Sequence, residues 1–88
     1  MKMGFEVFLT VCEEMSITKA AKKLFITQQA VSDHIHRLED KYKVLLFHRK
    51  PEFGLTDEGK IMRNSLQRIK IMEKNMESTL DFYAAGNM

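Results

Sequence analysis

The amino-acid sequence predicts a mostly α, single-domain protein built of three short helices, a two-stranded hairpin and a long closing helix. Three observations carry this. Apolar residues recur at helical spacings of three and four in four separate segments. Three of those segments open at Ser16, Thr27 or Thr56, residue types whose side chains accept a hydrogen bond from a helix's first turn. Between the last two lies a continuous apolar run broken by Pro51 and Gly54, which reads as a hairpin, and the whole chain holds only four Gly and one Pro.

Taken in order, Phe5, Phe8, Leu9 and Cys12 follow i, i+3, i+4, i+7 and predict an amphipathic helix over residues 3–14. Ser16 caps a second, short helix in which Ala20, Ala21 and Leu24 form a small-residue face that lets a neighbour approach closely, ending near Phe25. Thr27 caps a third, about 28–42, with Val31, Ile35, Leu38 and Tyr42 as its buried stripe. Only two residues separate Leu24 from Thr27, so these two helices must cross steeply. The stretch "VLLFHRKPEFGLT" is the hairpin. Thr56 then caps a helix over 57–83, with Asp57 and Glu58 complementing its dipole and Gly59 in its opening turn. Such a helix is about 40 Å long, more than the domain behind it can cover. Along it Met62, Leu66, Ile69, Met76, Leu80 and Tyr83 make an apolar seam, interrupted by Glu73, that wants a partner.

Eighty-eight residues support one modest core and exclude a multidomain enzyme. A hydrophobic fraction of 44% with 30% charged residues is ordinary for a soluble chain. No apolar run approaches the roughly 18 residues of a spanning helix and no signal peptide opens the chain, so a cytoplasmic protein without a membrane partner is expected. Net charge is only +2, but residues 16–50 carry eight basic side chains against three acidic ones, a local +5, while both flanks are slightly negative. A polyanion would bind there; a merely solvated basic face is the alternative.

The third helix turns Gln28, Gln29, Ser32, Asp33 and His36 away from Val31, Ile35 and Leu38. A capped, exposed first turn set with Gln, Gln and Ser carries the donor and acceptor types that read base edges in a major groove, so it behaves like a recognition helix. Other chemistry is not supported. His34 and His36 are two apart and share no helix face, which argues against a metal pair. Cys12 reads as a small core residue without a base beside it, and Glu39 with Asp40 as a solvated face. No cofactor, metal or enzyme activity is expected.

These residues also resemble a known family. The segments "SITKAAKKLFITQQAVSDHIHRLEDKYKVLLFHR" and "LTDEGK" are similar to the N-terminal DNA-binding domain of LysR-type transcriptional regulators, over essentially residues 3–85. The resemblance implies a winged helix-turn-helix (three-helix core, two-stranded wing) over 1–56, a linker and dimerisation helix over 57–88, and a bacterial source. It implies that Thr27 holds phosphate, that Gln28, Gln29 and Ser32 face bases, and that Arg49 in the wing reaches backbone or minor groove. Thr18, Lys19, Asp33, His36, Arg37 and Lys50 complete the expected DNA-contacting set. The sequence departs from the family at Gln29, usually Pro; at Asp33, commonly Arg or Lys, where a carboxylate repels phosphate unless it accepts from a cytosine amino group; at Lys43, typically a left-handed Gly; and in a wing, "RKPEFG", one residue shorter.

The expected function is thus sequence-specific binding of double-stranded DNA as a homodimer through the linker helix, in transcription regulation. A protein-interaction module using the exposed 57–83 helix is the alternative. A small-molecule effector is expected only with the larger C-terminal domain into which the family continues, which these 88 residues do not include.

Overall fold

The computed structural model describes residues 1–86. Residues 87 and 88 of the expected 57–88 segment lie outside them. The elements follow the chain as α1 (Met3–Glu14), α2 (Ile17–Leu24), α3 (Gln28–Tyr42), β1 (Phe47–His48), β2 (Gly54–Leu55) and α4 (Asp57–Ala84). The expected caps form: Ser16 Oγ accepts from the Lys19 amide at 3.1 Å, Thr27 Oγ1 from Ala30 at 3.0 Å and Thr56 Oγ1 from Gly59 at 2.9 Å. Each satisfies an amide that the helix itself leaves without a partner.

Helices α1, α2 and α3 pack on one another around Phe8, Val31 and Ile35, with Leu46 and Phe47 from the hairpin and Leu66 from α4 closing the core. The first helix is buried more broadly than its amphipathic stripe implies. Val7 and Val11 are fully buried beside Phe8 and Leu9, because α2, α3 and α4 all pack against α1. Two expectations about α3 change. Tyr42, the last residue of the supposed buried stripe, is 45% exposed, since the last turn carries it to the rim of the core, where Lys41 Nζ stands 5.5 Å from its ring centre. Glu39 is not a solvated carboxylate: its Oε2 accepts from the Leu46 amide at 2.8 Å. That bond anchors the segment that buries Leu46 and turns Leu45 outward, so the apolar run splits between core and solvent.

The hairpin is minimal. Phe47 pairs with Leu55 and His48 with Gly54, antiparallel, and residues 49–53 make the tip. Phe47 carries the packing, tilted against Phe8 at 5.6 Å and stacked on Phe53 at 5.0 Å between ring centres.

Three helices end in a left-handed residue that is not Gly: Met15, Phe25 and Lys43, with φ of 49°, 57° and 58°. After α2 and α3 the following residue closes a wider backbone bond, Ile26 N–H to Ala21 O at 3.1 Å and Val44 N–H to Glu39 O at 3.2 Å. Ile26 and Val44 pack on the core, and this end motif holds the strained residue in place. Only the Lys43 case is signalled by the sequence. Lys43→Gly is therefore expected to raise stability by up to about 1 kcal/mol in urea unfolding, the left-handed cost to an L-residue. Destabilisation would mean that contacts of the Lys43 side chain outweigh its backbone strain.

At 28 residues α4 is about 42 Å long, in a molecule of 57 × 26 × 21 Å. Its first three turns belong to the core: Gly59 and Leu66 are buried and Met62 packs alongside. Leu66, at 5% exposed, is thus a core residue of its own chain rather than part of a free seam. Glu73 also leaves the seam, because its carboxylate accepts from the Met1 ammonium at 3.1 and 3.2 Å, back toward α1. The stripe that reaches solvent is Ile61, Ile69, Met72, Met76, Leu80 and Tyr83.

Candidate nucleic-acid interface

The site is assembled from the start of α2, the first three turns of α3 and the wing. Thr18 and Lys19 are exposed in the opening turn of α2, on the side away from the buried Ala20 and Ala21. On α3, Gln28, Gln29, His36 and Arg37 are exposed and Ser32 and Asp33 half-buried, while Val31, Ile35 and Leu38 hold the opposite face in the core. The expected face division is therefore present. Thr27 Oγ1 accepts from the Ala30 amide, and its hydroxyl hydrogen has no acceptor among the described residues. His34 is directed differently from His36: it is half-buried, with Nδ1 close to Gly4 at the start of α1.

Two of the residues that depart from the family pattern touch each other. Gln29 Nε2 donates to Asp33 Oδ1 at 2.9 Å, one helical turn on.

Arg49 and Lys50 are exposed at the wing tip. The Arg49 guanidinium lies 5.9 Å from the centre of the Phe53 ring, which itself stacks on Phe47, so an aromatic shelf rooted in the core supports the wing's cation. Phe53 escapes sequence reasoning centred on charge; the signal was the pair of Phe residues flanking a short turn.

Seven of the eight basic side chains in residues 16–50 form no ion pair among the described residues. The exception is Lys23, 2.9 Å from Glu13 and 3.6 Å from Glu14; its hydrogen bond to Glu13 raises its pKa. Apart from Lys23, the positive excess of this segment is therefore not paired off by the acidic flanks. Cys12 lies away from all of this, half-buried on α1, where desolvation pushes its thiol up to about 12 and leaves no nucleophilic thiolate near neutral pH.

The sequence model of the family described as "Bacterial regulatory helix-turn-helix protein, lysR family" matches residues 4–60, which take in α1 except its first residue, α2, α3 and the hairpin. The chain belongs to the LysR family. An uncharacterized HTH-type transcriptional regulator of Methanocaldococcus jannaschii is 36% identical over 93 residues, covering 92% of this chain and 31% of that protein. The transcriptional regulator CysL of Bacillus subtilis is 43% identical over 68 residues, covering 76% of this chain and 22% of its own length. The chain thus spans about a third or less of the length of these curated relatives. Among solved structures, a LysR-family transcriptional regulator from Eggerthella lenta is 47% identical with a TM-score of 0.72, covering 76% of this chain and 97% of that one. The complex of BenM_DBD with catB site 1 DNA superposes at a TM-score of 0.90 and 30% identity over 99% of this chain and 100% of that one.

This LysR-type domain is a winged helix-turn-helix, as the sequence predicts, with β1 and β2 as its wing. Among the described residues no helix is long and apolar enough to cross a membrane.

Proposed function

We propose that this LysR-type domain binds double-stranded DNA sequence-specifically as a homodimer, with α3 in the major groove and the wing against the backbone or minor groove. The observation that carries the reading is the exposed, Thr27-capped first turn of α3, bearing Gln28 and Gln29, in a segment whose seven cations other than Lys23 form no ion pair among the described residues. A bare α-helix fits the roughly 12 Å major groove, and Gln offers both a donor and an acceptor to adenine. In this reading Gln28, Gln29, Ser32, Asp33 and His36 face base edges. Thr18, Lys19, Thr27, Arg37, Arg49 and Lys50 hold phosphates or, for the wing, the minor groove. The likeness to a DNA-bound relative over nearly the whole chain supports it. Homodimerisation is supported by the apolar stripe on α4, which its own chain leaves in solvent.

The test is a titration of selected and random duplexes at several salt concentrations. Affinity is expected to fall steeply with salt, because several cations release counterions. Gln28→Ala is expected to lose about 1 to 3 kcal/mol of discrimination at one base position while non-specific binding is nearly unchanged. Equal loss on every sequence would make Gln28 a backbone contact. Absence of binding at low salt would favour the other reading, in which α4 docks on a different protein.

A further inference from the structure

We infer that Gln29 and Asp33 act as one hydrogen-bond-accepting unit that selects base pairs presenting an amino group, cytosine N4 or adenine N6, to the first turns of α3 and rejects guanine or thymine there. The inference rests on the reading of α3 as the major-groove helix. Its root is the 2.9 Å bond from Gln29 Nε2 to Asp33 Oδ1. A carboxylate offers only acceptors, so the bond fixes which way the Gln29 amide points: its NH2 toward Asp33, its Oε1 away. A free Gln side chain can turn its amide over to suit either a donor or an acceptor. Gln29 has that freedom removed, and one of its two amide hydrogens is committed.

What the pair then shows to solvent is mostly lone pairs. Among the described residues Asp33 makes no ion pair and no other side chain donates to it, although Arg37 stands one turn further along α3. Oε1 of Gln29 likewise has no donor among the described residues. Both residues reach solvent, Gln29 exposed and Asp33 in part. The unit is an acceptor patch on a face that also carries Gln28, Ser32 and His36, with the exposed Arg37 one turn further on. A carboxylate on a face meant only for phosphates weakens binding to every duplex. The same carboxylate facing base edges gains where a donor meets it and loses where another acceptor does. In the major groove the donors are the cytosine N4 and adenine N6 amino groups, whereas guanine offers N7 and O6 and thymine O4, all acceptors. The two residues start about 6 Å apart along the helix axis, and the 2.9 Å bond draws their acceptor groups together, toward the roughly 3.4 Å spacing of neighbouring base pairs. Selectivity arises as much from rejecting the wrong base as from holding the right one.

The experiment selects from a duplex pool with a random core, using the parent chain, Asp33→Asn and Gln29→Ala. It then titrates the parent's enriched site and versions with single base pairs reversed, with melting by circular dichroism to show that each variant folds. For the parent, reversing the base pair that presents cytosine or adenine is expected to weaken binding about tenfold, the scale of one good base contact. Asp33→Asn supplies an amide that can donate to guanine, and is expected to bring the two orientations to within about threefold. Gln29→Ala is expected to keep the preference at the Asp33 position and lose it at the neighbour. Unchanged preference in Asp33→Asn overturns the inference. So does a uniform gain on every duplex, which places the carboxylate against phosphate while leaving the DNA-binding reading intact. A parent chain that enriches no sequence overturns that reading and the inference together.

Discussion

Gly59→Ala is expected to cost about 3 kcal/mol or more, a large share of the roughly 5 to 15 kcal/mol by which domains are stable, and to lower the melting temperature by more than about 10 °C. A Cβ at Gly59 would lie 2.1 Å from the Leu46 carbonyl oxygen, 2.8 Å from Leu55 Cδ2 and 3.1 Å from the Leu46 carbonyl carbon. Two of these are backbone atoms, and the backbone there is held at both ends. The Leu46 amide donates to Glu39 and its carbonyl accepts from the Thr56 amide at 3.0 Å. Relief would require α4 to move off the hairpin, which would expose Leu46 and Leu66 together. The requirement here is for space, since Gly59 lies in the first turn of a regular helix. Gly54 serves as the control, because its added Cβ would meet the imidazole of His48, an exposed side chain that can turn aside. If Gly59→Ala melts like the parent, α4 does not approach the hairpin as described.

The second large effect concerns α4. Met76→Asp combined with Leu80→Asp is expected to turn a dimer into a monomer and to weaken binding to a selected palindromic site by about 100-fold or more, the usual scale of avidity lost when two linked sites become one. Both side chains are exposed in the single chain, on a part of α4 beyond the buried Leu66, so the charges should leave its fold intact. Aspartate at Leu66, by contrast, would put a charge in the core and report on folding instead. With 3.6 residues per turn, Ile61, Ile69, Met72, Met76, Leu80 and Tyr83 fall on one stripe beside the inward face that carries Leu66 and Glu73. Near the domain Phe5, Tyr42 and Val44 extend the stripe into an apolar groove with Ile61 and Ile69. A second copy covering this strip would bury it twice over at about 25 cal/mol per Å². Glu73, bound to the Met1 ammonium of its own chain, lies beside this stripe rather than within it. Sedimentation gives the state of the variant, and titration its affinity. The proposal fails if the variant remains dimeric, or if it is monomeric with the parent's affinity for the full site.

Much of the geometry of the candidate site was open to sequence reasoning because its logic is local. The cap at Thr27 and the apolar stripe Val31, Ile35, Leu38 together fix which way Gln28 and Gln29 point, and every term lies within four residues of the next. Gln29 and Asp33 are themselves an i, i+4 pair, so their contact was also within reach. What the fold adds is that nothing else among the described residues claims either partner. Arg49 was recognisable as the wing's cation, but its support on Phe53 depends on how the hairpin stacks against Phe47 and Phe8.

The left-handed Lys43 was implied only by the family resemblance, whereas the sequence by itself determined the order and ends of the helices, the Ser and Thr caps and the polar face of α3. These follow from capping chemistry and side-chain period, which act over one or two turns. Only the tertiary structure decided which residues of those elements meet across the chain. It put Glu39 under the Leu46 amide, Leu66 into the core, Glu73 against the N-terminus, Tyr42 at the rim, and Gly59 against a backbone carbonyl. Each depends on the angle and offset at which one packed element crosses another. A helical period states that a side is apolar, but not how far along that side the neighbouring element extends.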